Sequence, residues 1–348
     1  MMIGGEHYLY PELLGKEIKN SFYDYLSNNI NHIEYFSTGR DAIFTLVNIF
    51  KSGRIWLPNY LCKSIYDPIK KIRKEISFYN TNIDLSISDD FINKIKDKDI
   101  IFIINYFGII QKNLYEKLKG KDIRIISDIC HSLINIDKIG YIFTNSDFVI
   151  MSLRKIGPFP DGAFLGSNVL DLPSSKDCIR EDFSFKRAGA MLSRGYSKMS
   201  NFKNDENLRV FMKMEKILSN TKDYGYKMTY FSKNILKRFD FEKVCEKTKN
   251  NFNYLKNNII QNNKVEIVNK QYLSQFIILS FNNENDRDHI RNELANNKIF
   301  CPIHWDMSWL RKENNISNRI FSVHCDYRYN LSDMKFIADK LNIALEKI

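Results

Sequence analysis

Lys155 closes the stretch Phe148-Val149-Ile150-Met151-Ser152-Leu153-Arg154-Lys155, in which a buried-strand pattern runs into a serine and then, three residues on, an amine. An amine just past the carboxyl end of a parallel strand lies in the crevice where α/β sheets bind cofactors, and it can form a Schiff base with a carbonyl there. A solvated turn lysine explains the same residue, since the chain has 52 Lys and Arg among 348 residues. The preceding apolar run, Ile123-Arg124-Ile125-Ile126-Ser127-Asp128, ends in an acid at the spacing of a neighbouring strand. A carboxylate so placed can hold the proton on a pyridine nitrogen and make the ring an electron sink. A helix cap or turn is the other reading of Asp128. His131 could reach the phenolic oxygen of such a ring, or be a satisfied structural histidine.

The third element is Tyr35-Phe36-Ser37-Thr38-Gly39-Arg40-Asp41, ahead of the apolar-periodic run 42–50. It reads as a loop opening a helix. Free backbone amides at a helix N-terminus, a glycine that permits close approach and a nearby arginine make an anion site suited to a phosphate ester. Thr38 and Asp41 are also good capping types, so a plain N-cap fits the same residues. Phosphate loop, aspartate and lysine occur in a chain order and strand context that resemble those of fold-type I pyridoxal 5'-phosphate enzymes.

With these motifs the chain resembles the DegT/DnrJ/StrS aminotransferases, many of which aminate nucleotide-linked keto-sugars. The resemblance rests on Thr38-Gly39-Arg40-Asp41-Ala42-Ile43, Asp128-Ile129-Cys130-His131, Ser152-Leu153-Arg154-Lys155 and Asp161-Gly162-Ala163. Ile3-Gly4-Gly5-Glu6 is similar to an amino-terminal substrate loop of one branch, and Asp326-Tyr327-Arg328-Tyr329 with Asp333-Met334 to its carboxyl-terminal end. The resemblance implies a fold-type I architecture and gives Lys155 the covalent link to the cofactor. It gives Asp128 the pyridine nitrogen, His131 the phenolic oxygen, and Ser152, Gly39 and Arg40 the phosphate, with Thr38 also among the cofactor-binding residues. Arg154 is a further phosphate candidate, with a surface arginine as the alternative. For stacking on the ring, Tyr60 and Cys62 both lie in the right neighbourhood, and Tyr60 is preferred for its flat phenol.

Departures from the family pattern are visible too. The Ser-to-Lys spacing is shorter than in many relatives, and Gly162-Ala163 stands where they have a glycine pair. The loop that reaches a neighbouring subunit's phosphate would fall near residues 194–199, where Ser197 replaces an asparagine.

Composition fits a folded enzyme: 44% hydrophobic residues with 14% aromatics suffice for a large core. The longest apolar stretch, from Ile100 to Ile110, is broken by Asn105 and Gly108 and is far shorter than the roughly 20 residues of a membrane span. The start of the chain lacks the plan of a secretory signal, and six scattered cysteines suit a reducing compartment, so a cytoplasmic location is expected. Cys301, His304, His324 and Cys325 match no metal-ligand spacing. A net charge of +11 invites a nucleic-acid reading, but the lysines are interleaved with acids, as in Lys94-Ile95-Lys96-Asp97-Lys98-Asp99, in the manner of solvated faces.

Strand-like runs at 54–57, 75–79, 99–104, 123–127 and 147–151 alternate with helical segments, the signature of a mainly parallel sheet in an α/β fold. Residues 205–239 read as largely helical, with Leu208, Phe211, Met214, Ile217 and Leu218 on one face and Gly225 as a break. A strand at 275–281 and a helix at 285–297 follow. The expected organisation is a large cofactor-binding domain over 1–235 and a small C-terminal α+β domain over 236–348. Candidate substrate residues are Glu6, His304, Trp305 and Arg328, the last equally suited to a structural pair with Asp326 or Asp333.

The expected activity moves an amino group from an amino acid such as glutamate to a keto acceptor, most simply a nucleotide-linked keto-sugar for surface glycan synthesis. A homodimer is implied by the resemblance. Dehydration or decarboxylation on the same scaffold, a smaller phosphorylated ketone as acceptor, and a non-catalytic cofactor-binding relative are the rivals.

Overall fold

The computed structural model describes residues 2–72, 75–132, 136–200, 206–305, 307–310 and 316–348. Strands β1 (His32–Phe36), β2 (Ile55–Pro58), β3 (Ile76–Tyr79), β4 (Ile100–Ile104), β5 (Arg124–Asp128), β6 (Phe148–Ser152) and β7 (Ala163–Ser167) form one sheet in the order β1-β7-β6-β5-β4-β2-β3. Pairings among β6, β5, β4, β2 and β3 are parallel, and β7 is antiparallel to both of its neighbours. Helices α1 (Phe22–Asn29), α2 (Gly39–Ile49), α3 (Lys63–Lys71), α4 (Lys112–Leu118), α5 (Ile136–Thr144), α6 (Glu181–Ser200), α7 (Glu206–Ser219) and α8 (Tyr230–Leu236) accompany this sheet. The smaller C-terminal unit has α9 (Phe241–Asn258), β8 (Val265–Ile267), β9 (Phe276–Phe281), α10 (Glu284–Asn296), α11 (Ile316–Arg319), β10 (Ile320–His324) and α12 (Leu331–Leu345). Its three strands form an antiparallel sheet in the order β10-β9-β8. No described helix is long and apolar enough to cross a membrane.

The central strands form where the sequence places unbroken apolar runs. All five residues of β4 are buried, as expected of a strand covered on both faces. Two large apolar clusters lie against the big sheet and a third fills the small unit. Ile3 belongs to that third cluster: it pairs with Ile299, and its carbonyl accepts the Phe300 amide at 2.9 Å. The chain thus starts on the small unit and crosses to the large one, where the Leu9 amide donates to the Met191 carbonyl at 3.2 Å.

Several elements differ from the sequence reading. Strand β7, fully buried and antiparallel to β1 and β6, was not among the strands expected. Tyr35 and Phe36 end strand β1, so the loop before α2 shrinks to Ser37 and Thr38. The partly exposed, charged β1 sits at the sheet edge and lacks the apolar run that marks central strands. Residues 194–199, read as a loop, lie inside α6, where Ser197 Oγ donates to the Ser193 carbonyl at 2.9 Å. Two glycines weaken the helical signal there. Of the face expected on α7, Phe211, Met214 and Leu218 are buried, whereas Leu208 and Ile217 are exposed; Asp205 lies outside the described residues.

Gly195 has a tertiary cause: a Cβ there would overlap the Leu9 carbonyl oxygen, because the N-terminal segment crosses α6 at that point. A Cβ on Gly189 meets nothing within 4 Å. Gly195→Ala is therefore expected to lower the unfolding free energy by about 1–3 kcal/mol, and Gly189→Ala to raise it by about 0.5–1 kcal/mol. Urea denaturation of the two variants checks this, and equal shifts would contradict the crossing.

Candidate functional site

Strands β5 and β6 run parallel with Asp128 opposite Ile150, which brings the turns after both strands to the same edge of the sheet. A further bond fixes the two turns, since the Ser152 amide donates to Cys130 Sγ at 3.1 Å. Lys155 closes a short 3-10 turn after β6, and its carbonyl accepts Gln275 Nε2 at 2.8 Å. Its side chain is exposed within a cavity of about 830 Å³. Helix α2 points its N-terminus at the same space, so Thr38, Gly39, Arg40, Asp128, His131, Ser152, Arg154 and Lys155 all line it. Glu6, His304, Trp305 and Arg328 complete the lining from the N-terminal segment and the small unit.

Asp128 is 7% exposed, and its Oδ1 accepts the Cys130 amide at 2.8 Å. Burial pushes its carboxyl above the usual range, against the opposing effects of Cys130 and of Lys155. A carboxylate penalised in this way gains from a cation set against it, which a protonated ring nitrogen would be. The turn reading of Asp128 is also met, because one oxygen caps the turn at Cys130.

The phosphate cradle divides its work differently from the expectation. Thr38 is the N-cap of α2: its hydroxyl donates to Asp41 Oδ2 at 2.6 Å and accepts the Asp41 amide at 3.3 Å. Asp41 is in turn held by Arg180 at 3.0 Å and by the Gly225 amide at 2.9 Å. Thr38 therefore serves the helix end. The Gly39 and Arg40 amides have no partner within the helix, as in any first turn. A Cβ on Gly39 would meet only Ser152 Cβ, at 3.8 Å, so it would protrude into the space between α2 and β6. Arg40 Nε is buried without a partner. Orphaned donors around a cradle that a Cβ would fill are what a phosphate ester fits.

His131 lies between Phe107 (centroids 4.6 Å apart) and Trp305 (5.7 Å, 14° between planes), and His304 is 5.4 Å from it. His131 Nδ1 and His304 Nε2 are buried and unpartnered. Burial, with Lys155 adding to it, holds both imidazoles neutral at physiological pH, that of His304 down to about 3. Each can donate or accept toward an uncharged group. Tyr60 does not line the cavity. It is fully buried beneath Trp305, ring centroids 4.9 Å apart, and its hydroxyl donates to the His304 carbonyl. The phenol supports the 304–305 segment, and Cys62, the other candidate, lines the space.

Two expected ligand-binding charges are engaged within the protein. Arg328 grips Asp326 with Nε at 2.7 Å and Nη2 at 2.8 Å, and Nη1 donates to the Gly5 carbonyl at 2.7 Å. The alternative reading, a structural pair with Asp326, describes these contacts. Arg154 pairs with Glu215. Arg187, Arg194 and Glu215 were not singled out by sequence reasoning, because their partners are remote: Glu215 is 61 residues from Arg154, Arg187 is 181 from Glu6 and Arg194 is 190 from Gly4. Arg291, whose Nε donates to the Cys301 carbonyl, was not singled out either.

No family model and no curated protein matches this chain. Solved structures do. Helicobacter pylori PseC, an aminotransferase involved in pseudoaminic acid biosynthesis, is 12% identical over all of both chains with a TM-score of 0.67. The aminotransferase TlmJ from Streptoalloteichus hindustanus is 10% identical over 100% of this chain and 99% of its own, with a TM-score of 0.68. The E. coli GDP-4-keto-6-deoxy-D-mannose-3-dehydratase, with hydrated PLP bound, is 12% identical over 98% of this chain and all of its own, at 0.66. At these identities the likeness establishes the fold, which is the one expected: a large, mostly parallel sheet with a small antiparallel C-terminal one.

Glu215 gives the site a pH dependence. Burial raises its carboxyl, but Arg154 and then Arg187 outweigh that and bring it down to about 2. A carboxyl depressed on folding stabilises the protein above its unfolded value near 4.5, and that contribution is lost as pH falls toward 2. The stability gap between wild type and Glu215→Gln should narrow by about 1–2 kcal/mol between about pH 6 and pH 3, after allowance for screening at a partly exposed group. Parallel stability–pH curves from chemical denaturation would contradict this.

Proposed function

We propose that this chain is a pyridoxal phosphate-dependent aminotransferase of the DegT/DnrJ/StrS type, moving the amino group of an amino acid, glutamate by preference, to the keto carbon of a nucleotide-linked sugar. The observation that carries the reading is the convergence of Asp128, Lys155 and the α2 N-terminus on one cavity. Proteins that share this fold include the aminotransferases PseC and TlmJ and a dehydratase with hydrated PLP bound. When bound, pyridoxal phosphate supplies an electron sink for the carbon beside the transferred nitrogen.

The residues divide the remaining work. Lys155 Nζ would hold the cofactor and, when free, would take up and return the proton that moves in the transfer. The Asp128 carboxylate keeps a proton on the ring nitrogen. Gly39 and Arg40 amides, the Ser152 hydroxyl and the Arg40 guanidinium hold the phosphate, and His131 Nδ1 is available to the phenolic oxygen. His304 Nε2 and Trp305 face the acceptor. A neutral His304 suits a sugar hydroxyl better than a carboxylate.

Charge favours an anionic acceptor. Glu215, Asp326 and Glu6 are spent on Arg154, Arg328 and Arg187, which leaves Arg40, Arg194, Arg291 and Lys155 in the lining against Asp128. A homodimer is supported by apolar side chains on α6 and α7, among them Phe185, Tyr196, Met199, Leu208 and Met212, all exposed, the last two at the rim of the cavity. Six free cysteines suit the cytoplasm. Dehydration is the second reading, since a 3-dehydratase shares the fold; product analysis separates it from transfer.

Added pyridoxal phosphate should give the purified protein a visible absorption band that glutamate bleaches, and Lys155→Ala should show neither. A band that persists unchanged in Lys155→Ala, or none in wild type, would overturn the assignment.

A further inference from the structure

Four charged side chains form a partly buried series beside the lysine turn, with Arg187 at its centre. Arg187, on α6, is 1% exposed; its Nη2 donates to Glu6 Oε2 at 3.0 Å and its Nη1 to Glu215 Oε1 at 3.3 Å. Its Nε is anchored on the Pro160 carbonyl at 3.0 Å. The same Glu215 oxygen accepts from Arg154 Nη2. The order is Glu6, Arg187, Glu215, Arg154, two acids and two bases, neutral as a set.

The ends of the series are what give it meaning. Arg154 directly precedes Lys155, and Glu6 belongs to the N-terminal segment, which also lines the cavity. That segment is also clamped along its length. The Gly4 amide donates to Tyr329 Oη at 2.7 Å, Arg194 to the Gly4 carbonyl at 3.1 Å, and Arg328 to the Gly5 and Glu6 carbonyls at 2.7 and 3.1 Å. Charges held partly out of water in this way give little net stability, because desolvation and screening consume the Coulombic gain. Geometry is the return on such an arrangement.

We propose that Arg187 and Glu215 are positioning residues that tie the Lys155 turn to the N-terminal segment, so that the reacting amine and the acceptor-facing edge of the cavity are set as one unit. The proposal takes Lys155 as the reacting amine from the preceding reading. Two consequences separate the ends of the series. Loss of Glu6 frees the N-terminal segment and weakens acceptor binding, raising KM more than it lowers kcat. Loss of the Glu215 charge acts on the other end: it leaves the Arg154 guanidinium, in the residue before Lys155, without its paired carboxylate, so an uncompensated cation stands beside the lysine turn.

The first test needs no cofactor. Amide hydrogen exchange is compared among wild type, Glu6→Ala, Arg187→Met and Arg187→Lys. Residues 3–9 should exchange about tenfold faster in Glu6→Ala and Arg187→Met, the effect of losing a charge-assisted hydrogen bond. Arg187→Lys should restore part of the protection, and strand β9 should be unaffected in Glu6→Ala. Unchanged exchange at 3–9 in Glu6→Ala, or acceleration spread evenly over the chain, overturns the proposal. In the second arm, the pH midpoint of the cofactor's visible band should move down in Glu215→Gln and stay in place in Glu6→Ala. Equal midpoints in Glu215→Gln and wild type count against coupling to the lysine. Failure of the cofactor reading is recognisable separately, as a wild-type protein with no Lys155-dependent band.

Discussion

The parallel pairing of β5 with β6 is the constraint on which the site depends. Asp128 faces Ile150 across the ladder, the Ile129 amide donates to the Ile150 carbonyl at 3.0 Å, and Cys130 Sγ receives the Ser152 amide. These bonds leave the aspartate turn and the lysine turn no independent freedom. A slip of one residue would send Asp128 to the opposite face of the sheet and separate it from the cavity. Helix α2, capped by Thr38 and pinned through Asp41 to Arg180 and Gly225, is aimed at the same edge. Ligand binding outside the carboxyl ends of parallel strands is the general behaviour of such sheets.

Around that frame, charge is distributed by pairing. Arg328 with Asp326 and Arg154 with Glu215 are compensated inside the protein, and Arg328 spends its remaining donors on the backbone of the N-terminal segment. What remains uncompensated is cationic, apart from Asp128. The histidines add hydrogen-bonding capacity without charge, since burial keeps His131 and His304 unprotonated. The cavity is thereby suited to an anionic ligand that also carries polar, uncharged groups.

Much of this was legible in the sequence because its physics is local. The apolar runs ending in Asp128 and Ser152 mark central strands, and Thr38-Gly39-Arg40 marks a helix start from residue type alone. Edge strand β1 was not legible, since its partly exposed residues carry no burial pattern. Helix α6 was obscured by Gly195, whose cause is a chain crossing far away in sequence. Tyr60 satisfied the description of a stacking ring; only the seat of Trp305 above it places the phenol in a supporting role. For Arg154, residue type gives a cation and nothing local gives Glu215, so its partner could be found only in three dimensions.

The central claim is that Lys155, at the end of β6, is the amine that carries the cofactor. Borohydride reduction of the protein incubated with pyridoxal phosphate, followed by peptide mapping by mass spectrometry, tests it most directly, because reduction fixes the cofactor on whichever amine holds it. The account predicts one stoichiometric modification, on the peptide that contains Lys155. Modification spread over surface lysines, or concentrated on another lysine with Lys155 untouched, would contradict it.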